Sequence, residues 1–202
     1  MQPSHSPLTN SRAVLLDRDG VINQPVLDTR TGYYESPYAT ADVALVPGIV
    51  EVIHRLQDED IALAVVSNQP AAAKGTHTLE ELFSVDAAIK ALLKCEEILI
   101  PTWHYCFHHP DGTDATLARS CDCRKPASGL LQAALDDLRI TATKNVWMIG
   151  DSDADVGAGN ALGVTTLLFE HPLTAHRRGA LEPSFKATSV EAIDRILITH
   201  GT

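Results

Sequence analysis

An α/β fold built on a parallel sheet with helices on both faces is predicted from three observations. Short stretches that are apolar at every position alternate with longer stretches of helical periodicity. Strands apolar on both faces belong to sheets covered on both sides, and in alternating β/α chains such sheets are parallel. Acidic or hydroxyl residues directly follow three of the apolar stretches, and parallel sheets gather ligands at the carboxyl ends of their strands.

In order, Ala13–Leu16 reads as a buried strand. Residues 24–47, with Pro25, Gly32, Pro37 and Pro47, interrupt the alternation and are expected to form a loop or small β-flap. Ile49–Leu56 reads as a helix and Ala62–Val66 as a second buried strand. Thr78–Lys94 is a helix opened by a capping box of Thr78 and Glu81. Residues 103–126 are rich in cysteine and histidine and are expected to be an insert tied by a metal. Ser128–Leu138 reads as a helix, Val146–Ile149 as a strand, Asp155–Ala161 as a short helix and Thr165–Phe169 as a strand. Val190–Thr199, after Ser189, is the last helix. One domain is expected over 1–202, with no internal repeat.

The 202 residues are 45% apolar and carry a formal net charge of −10. A sizeable core is available, and the acidic balance argues against nucleic acid and anionic membrane as partners. Met1–Arg12 lacks the apolar core of a signal peptide, and no apolar run is long enough to span a bilayer. A cytoplasmic monomer acting on a small metabolite is expected.

Asp17-Arg18-Asp19-Gly20 follows the first strand. Aspartates at i and i+2 of extended chain point the same way, and two carboxylates side by side are costly unless a positive charge lies between them. Asp151 follows another strand, and Asp155 stands one helical turn further on. Hard oxygen donors of this kind suit magnesium. An Asp-x-Asp-Gly alone is as readily a turn, but its combination with Gly150-Asp151-x-x-x-Asp155 favours the metal. Lys125, in Cys123-Arg124-Lys125-Pro126 just before a helix, supplies a cation, and Ser67 after the second strand supplies a hydroxyl for a phosphate oxygen. Alone, each would be an ordinary surface or capping residue.

Three of the four cysteines lie within eighteen residues. Cys106 with His108, and Cys121 with Cys123, are pairs at i and i+2. Two such pairs can enclose a tetrahedral zinc with three sulfurs and one nitrogen, a closed structural site coupled to folding. The i+2 spacing favours His108 over His109 without deciding between them. Cys95 is expected as a small buried residue on a helix, and His104 as a packing residue.

The pieces hhhDRDG, hhSNQ, RKP and GDSDAD, in that order, resemble the four motifs of the haloacid dehalogenase superfamily over nearly the whole chain. The resemblance implies a Rossmann-like fold without a large cap domain and a magnesium-dependent phosphatase. It implies that Asp17 attacks phosphorus, forming an aspartyl-phosphate, and that Asp19 protonates the leaving oxygen and then activates water. Ser67 and Lys125 would hold the phosphoryl oxygens. Asp17, the main-chain carbonyl of Asp19, and Asp151 would bind magnesium, with Asp155 in support.

Cys-x-His-His-Pro followed by Cys-Asp-Cys-Arg-Lys-Pro is similar to the D-glycero-D-manno-heptose 1,7-bisphosphate phosphatases and their histidinol-phosphatase relatives. That resemblance implies removal of the 7-phosphate from a sugar bisphosphate, with histidinol phosphate or another sugar phosphate as the alternative. It makes Cys106, His108, Cys121 and Cys123 the zinc ligands. It puts Asn68, Arg124 and Lys125 against substrate, with Arg124 suited to a second phosphate. The chain departs from the family at Ser67-Asn68-Gln69-Pro70-Ala71-Ala72-Ala73-Lys74-Gly75, where proline replaces a glycine-containing turn. The loop after the first motif also offers Arg30, Tyr33, Tyr34 and Glu35 to a substrate.

Two rivals come from other classes. A non-catalytic zinc-stabilised binding module would be marked by a lost nucleophile or metal acid, and none is lost. A zinc-based nucleic-acid module is opposed by the acidic balance. Gly157-Ala158-Gly159-Asn160-Ala161-Leu162-Gly163 looks like a dinucleotide fingerprint, but Leu162 takes the third glycine's place, so close helix packing is expected instead.

Overall fold

Six parallel strands in the order β5-β4-β1-β6-β7-β8 form the centre of the computed structural model, which describes residues 12–201. The strands are β1 (Ala13–Leu16), β4 (Ala62–Asn68), β5 (Thr102–Cys106), β6 (Val146–Gly150), β7 (Thr165–Phe169) and β8 (Phe185–Ala187). A separate antiparallel hairpin pairs β2 (Val26–Asp28) with β3 (Tyr33–Glu35). Among the described residues five α-helices complete the fold: α1 (Ile49–Asp58), α2 (Leu79–Cys95), α3 (Gly129–Asp137), α4 (Asp153–Leu162) and α5 (Val190–His200). Apart from Arg12, the polar N-terminal stretch read for a signal peptide lies outside the described residues. Among the described residues no helix is long and apolar enough to cross a membrane.

Alternation of side chains along each strand divides the core in two. Val14 and Leu16 of β1 face one cluster with Ile53, Ile89 and Leu197 from α1, α2 and α5. Ala13 and Leu15 face the other, with Leu131 and Leu135 from α3 and Ala158 from α4. Both faces of the sheet are therefore covered, which is why β1 and β6 are apolar throughout and β4 is apolar up to its carboxyl end at Ser67 and Asn68. Gly159 belongs to this packing: a Cβ there would lie 2.4 Å from Cγ2 of Thr166, so α4 approaches the sheet closely.

The helix starts follow local chemistry. Thr78 Oγ1 accepts from the Glu81 amide at 3.2 Å, and Glu81 accepts from the Thr78 amide at 2.7 Å. Ser189 caps α5 by accepting from the Ala192 amide at 3.2 Å.

The chain runs outward from β1 through β4 and β5, then returns to β6 on the other side of β1. That reversal opens a crevice at the carboxyl ends of β1, β4 and β6.

The structure corrects three expectations. Residues 103–106 belong to β5, paired in register with β4 from Ala64↔Thr102 to Asn68↔Cys106, so only the chain from Phe107 onward leaves the sheet. As an edge strand beside α2, β5 carries half-buried aromatic and polar side chains in place of an apolar run. Strand β8 has three residues, too few for a periodic signal. Cys95 ends α2 and is exposed, because the last buried residue of that helix is Leu93.

Candidate active site

The crevice holds a cleft of about 530 Å³ lined by the ends of β1, β4 and β6, by the hairpin, and by the loop after Cys123. Asp17 leaves β1, with its amide bonded to the Ile149 carbonyl at 2.8 Å. Lys125 Nζ reaches the same point from the opposite side. It donates to Asp17 Oδ1 at 2.9 Å, Asp155 Oδ1 at 2.5 Å and the Val66 carbonyl at 2.7 Å. This lysine is 3% exposed. Burial opposes its charge, but Asp155 and Asp17 outweigh burial and raise its pKa.

Carboxylate oxygens of Asp17, Asp151 and Asp155 lie within 4.8 Å of one another, all buried. Burial pushes Asp17 up to about 6 against the pull of Lys125, and pushes Asp151 up to about 8 against Arg177. Asp151 Oδ1 is buried with no hydrogen-bond partner. An orphaned carboxylate oxygen among buried acids fits a hard divalent cation. Gly20 permits this crowding: its φ is +89°, and a Cβ would lie 2.2 Å from Asp151 Oδ2.

Asp19 lies apart from this group. Its carboxylate accepts from Arg18 Nη2 at 3.1 Å, Asn23 Nδ2 at 3.0 Å, Ser36 Oγ at 2.7 Å and Gln69 Nε2 at 2.6 Å. Burial alone would raise its pKa; Arg18 first, then Asn23 and Ser36, outweigh burial and hold it below the ordinary range. The positive charge expected between Asp17 and Asp19 is thus, for the Asp19 side chain, the guanidinium of Arg18, itself 1% exposed.

Other predicted residues fall around this centre. Ser67 lines the cleft and accepts from Gln69 Nε2 at 3.1 Å. Asn68 clamps the Lys125 main chain, donating to its carbonyl at 2.9 Å and accepting from its amide at 3.1 Å. That fixes the lysine in place and leaves less of the amide for the substrate contact expected of it. Arg124 lines the cleft and donates to the His108 carbonyl at 3.3 Å. Asp155 also accepts from the Ser152 amide and hydroxyl at 3.1 and 2.6 Å, capping α4. Arg30 and Glu35 of the hairpin region line the cleft, whereas Tyr33 stacks on His176 at 4.6 Å.

Ser36, Gln69 and Arg177 escaped the sequence reading. Arg177 ends a 3-10 helix over Pro172–Arg177. It donates to Asp151 Oδ2 at 3.4 Å, the Tyr34 carbonyl at 3.1 Å and Glu35 Oε2 at 3.3 Å, joining the hairpin to the acidic centre. The strand-end argument, carried one strand further to β7, reaches it.

The second cluster sits beyond β5. Donor atoms of Cys106, His108, Cys121 and Cys123 lie within 4.8 Å of one another. The sulfurs are 3.2 to 3.6 Å apart, and His108 Nδ1 is 3.3 Å from Cys123 Sγ. Sulfurs on a tetrahedral zinc would stand about 3.8 Å apart, so the set is compatible with that ion. His109 turns away and accepts from the Asp111 amide at 3.1 Å. His104 pairs with Asp137 at 3.0 Å.

A parallel sheet with an aspartate at the end of β1, a lysine joined to it and an acidic loop after β6 is that of a HAD-type hydrolase, and the chain is a phosphatase. A HAD-hydrolase-like family model matches residues 122–192. The D-glycero-beta-D-manno-heptose-1,7-bisphosphate 7-phosphatase of Photorhabdus laumondii is 34% identical over 154 residues, covering 76% of this chain and 77% of its own. The protein of the same name from Yersinia pestis is 29% identical over 173 residues, covering 84% and 87%. A crystal structure of D,D-heptose 1,7-bisphosphate phosphatase from B. bronchiseptica, complexed with magnesium and phosphate, superposes with a TM-score of 0.74 at 24% identity, covering 94% and 99%. The chain belongs to the D-glycero-beta-D-manno-heptose-1,7-bisphosphate 7-phosphatase family.

Proposed function

We propose that this phosphatase removes the 7-phosphate of D-glycero-D-manno-heptose 1,7-bisphosphate through a phosphorylated Asp17. The observation that carries this is the pairing of Asp17 with the buried Lys125 at the floor of the cleft, in a chain of this family. Asp17 attacks phosphorus in line with the leaving sugar oxygen, so the P–O bond to the sugar breaks as the Asp17–phosphorus bond forms. Lys125 and the Ser67 hydroxyl hold phosphoryl oxygens, and a fixed positive charge in a dry site needs no rearrangement as charge develops.

Asp19 gives a proton to the leaving oxygen and then takes one from the water that breaks the aspartyl-phosphate. The donors around it favour its ionised form, which suits the second step. An arriving phosphate dianion raises the proton affinity of a neighbouring carboxylate, which suits the first.

Asp17, Asp151 and the main-chain carbonyl of Asp19 would hold magnesium, with Asp155 supporting. When bound, magnesium neutralises the clustered acids and the phosphate. Cys106, His108, Cys121 and Cys123 would hold a structural zinc that keeps Arg124, the residue after the last ligand, at the cleft wall.

The test is phosphate release with magnesium from both anomers of heptose 1,7-bisphosphate, fructose 1,6-bisphosphate, histidinol phosphate and simple sugar monophosphates. A preference for one heptose bisphosphate of at least about tenfold in kcat/KM is expected, which is a discrimination of about 1.4 kcal/mol. Comparable turnover of histidinol phosphate or the monophosphates would overturn the substrate assignment.

A further inference from the structure

The side chains that donate to the carboxylate of Asp19 do not hold it alike. Oδ1 accepts from Arg18 Nε at 3.2 Å, Arg18 Nη2 at 3.1 Å and Asn23 Nδ2 at 3.0 Å, all from its own stretch of chain. Oδ2 accepts from Gln69 Nε2 at 2.6 Å, Ser36 Oγ at 2.7 Å and Arg18 Nη2 at 3.1 Å. Arg18, Asn23 and Gln69 are buried, whereas Ser36 lines the cleft beside Asp19. The nitrogens of the other three give hydrogen bonds and cannot take them; a hydroxyl does both. Ser36 can therefore stay bonded to Asp19 whether the acid holds a proton or has given it up.

The hairpin brings this serine to the site. Ser36 follows Glu35, the last residue of β3. Arg177 pins the chain just before it, donating to the Tyr34 carbonyl at 3.1 Å and to Glu35 Oε2 at 3.3 Å. Just after it, Pro37 is buried and Tyr38 stacks on His77 with ring centroids 3.9 Å apart. A residue before proline is steered away from helical backbone, which narrows the directions the Ser36 hydroxyl can take. The serine is thus anchored on both sides, and its hydroxyl is directed at a buried acid instead of at solvent.

We infer that Ser36 is a positioning residue for Asp19: it holds Oδ2 of the carboxylate in the orientation that delivers a proton to the leaving oxygen, and so makes the hairpin part of the proton-transfer apparatus. This rests on the reading of Asp19 as proton donor given above, and it holds whichever sugar is cleaved. While Asp19 carries the proton, the Ser36 oxygen accepts from it. As the bond from phosphorus to the leaving oxygen breaks, the proton passes to that oxygen, Asp19 is left as a carboxylate, and the Ser36 hydroxyl turns to donate to it. No heavy atom has to move between the two states.

The experiment compares phenyl phosphate with 4-nitrophenyl phosphate in the presence of magnesium, using the full-length wild type, S36A, S36T and D19N. The two esters have nearly the same shape, but phenolate is the stronger base and gains more from a proton as it leaves. The quantity read is the ratio of kcat/KM for the nitrophenyl ester to that for the phenyl ester. D19N is expected to widen this ratio most, and S36A to widen it about fivefold, as fits partial loss of general-acid assistance. S36T keeps the hydroxyl and is expected to bring the ratio back to within about twofold of wild type. A merely structural change in the hairpin would lower both kcat/KM values and leave their ratio intact. If D19N widens the ratio and S36A does not, the role of Ser36 is overturned and the reading of Asp19 stands. If neither variant widens it, Asp19 is not the proton donor, and that reading falls together with this inference.

Discussion

The acidic centre and the Cys/His cluster are both groups of candidate metal ligands, but they are built differently. Asp17 and Asp151 leave the carboxyl ends of two adjacent central strands, and Asp155 stands on the first turn of the helix that follows. All three are buried, and one oxygen of Asp151 has no partner. The Cys/His cluster begins at the last residue of an edge strand and takes its other donors from the loop beyond. Its four donor atoms lie within 4.8 Å of one another, so with the proposed zinc they would complete a tetrahedron by themselves. A set left incomplete inside a cleft can bind and transform a ligand; a set that completes itself can only hold chain together. The sheet thus fixes the acidic centre, while on the proposed reading the second cluster fixes the loop beside the cleft.

The largest expected effect separates the two. Asp17→Asn removes the proposed nucleophile and should lower kcat by at least about 10⁴-fold. The fold should not suffer, because the change removes one of three buried like charges. A melting temperature equal to or above that of wild type, with turnover lost, is the expected pair of results. Near-normal turnover would overturn the aspartyl mechanism.

Next in size is removal of the zinc proposed for the Cys/His cluster. Closing an 18-residue loop with a cross-link is worth about 3 kcal/mol, so stripping the ion should lower the melting temperature by roughly 6–12 °C. Proteolysis should then find the chain between Phe107 and Pro126, while β5 keeps its ladder to β4. An unchanged melting curve after verified removal would mean that the cluster does not hold the loop.

The contrast also explains what could be read from the sequence. Ala13–Leu16 and Thr165–Phe169 have the bounds expected of them, because a strand buried on both faces is apolar over most or all of its length, and only Thr165 and Thr166 break that pattern. The acids at the strand ends stand out because a sheet has no need of them there. The Cys/His set is legible because soft donors at i+2 have few other uses. Strand β5 was hidden because an edge strand mixes aromatic and polar residues. The partners of Asp19 were hidden for a different reason: Ser36 and Gln69 are ordinary residues, and 17 and 50 positions separate them from it. Only the folded chain brings them together. Arg177 is 26 positions from Asp151 and carries no motif.

The smallest effect tests whether the acidic centre is open in the sense claimed. Burial raises Asp151 from its ordinary 3.8 to about 8 and Asp17 from 3.8 to about 6. Between pH 4 and those values the native protein therefore keeps protons that the unfolded chain has released. Stability falls as pH rises across that window. Without magnesium, the melting temperature should be lower at pH 8 than at pH 6. Magnesium at the proposed site would bind the ionised acids and compete with those protons, so its stabilisation should grow with pH. At a hundredfold excess over Kd it amounts to about 2.7 kcal/mol, or roughly 5–10 °C. Melting curves at both pH values, with and without magnesium, give the result. Dialysis is preferable to a chelator here, so that the zinc proposed for the Cys/His cluster is left in place. If the magnesium gain were the same at pH 6 and pH 8, Lys125 and Arg177 would already be holding the acids ionised. The acidic centre would then be compensated from within, as the Cys/His cluster is, and the distinction between an open and a closed site would have to rest on the orphaned Asp151 oxygen alone.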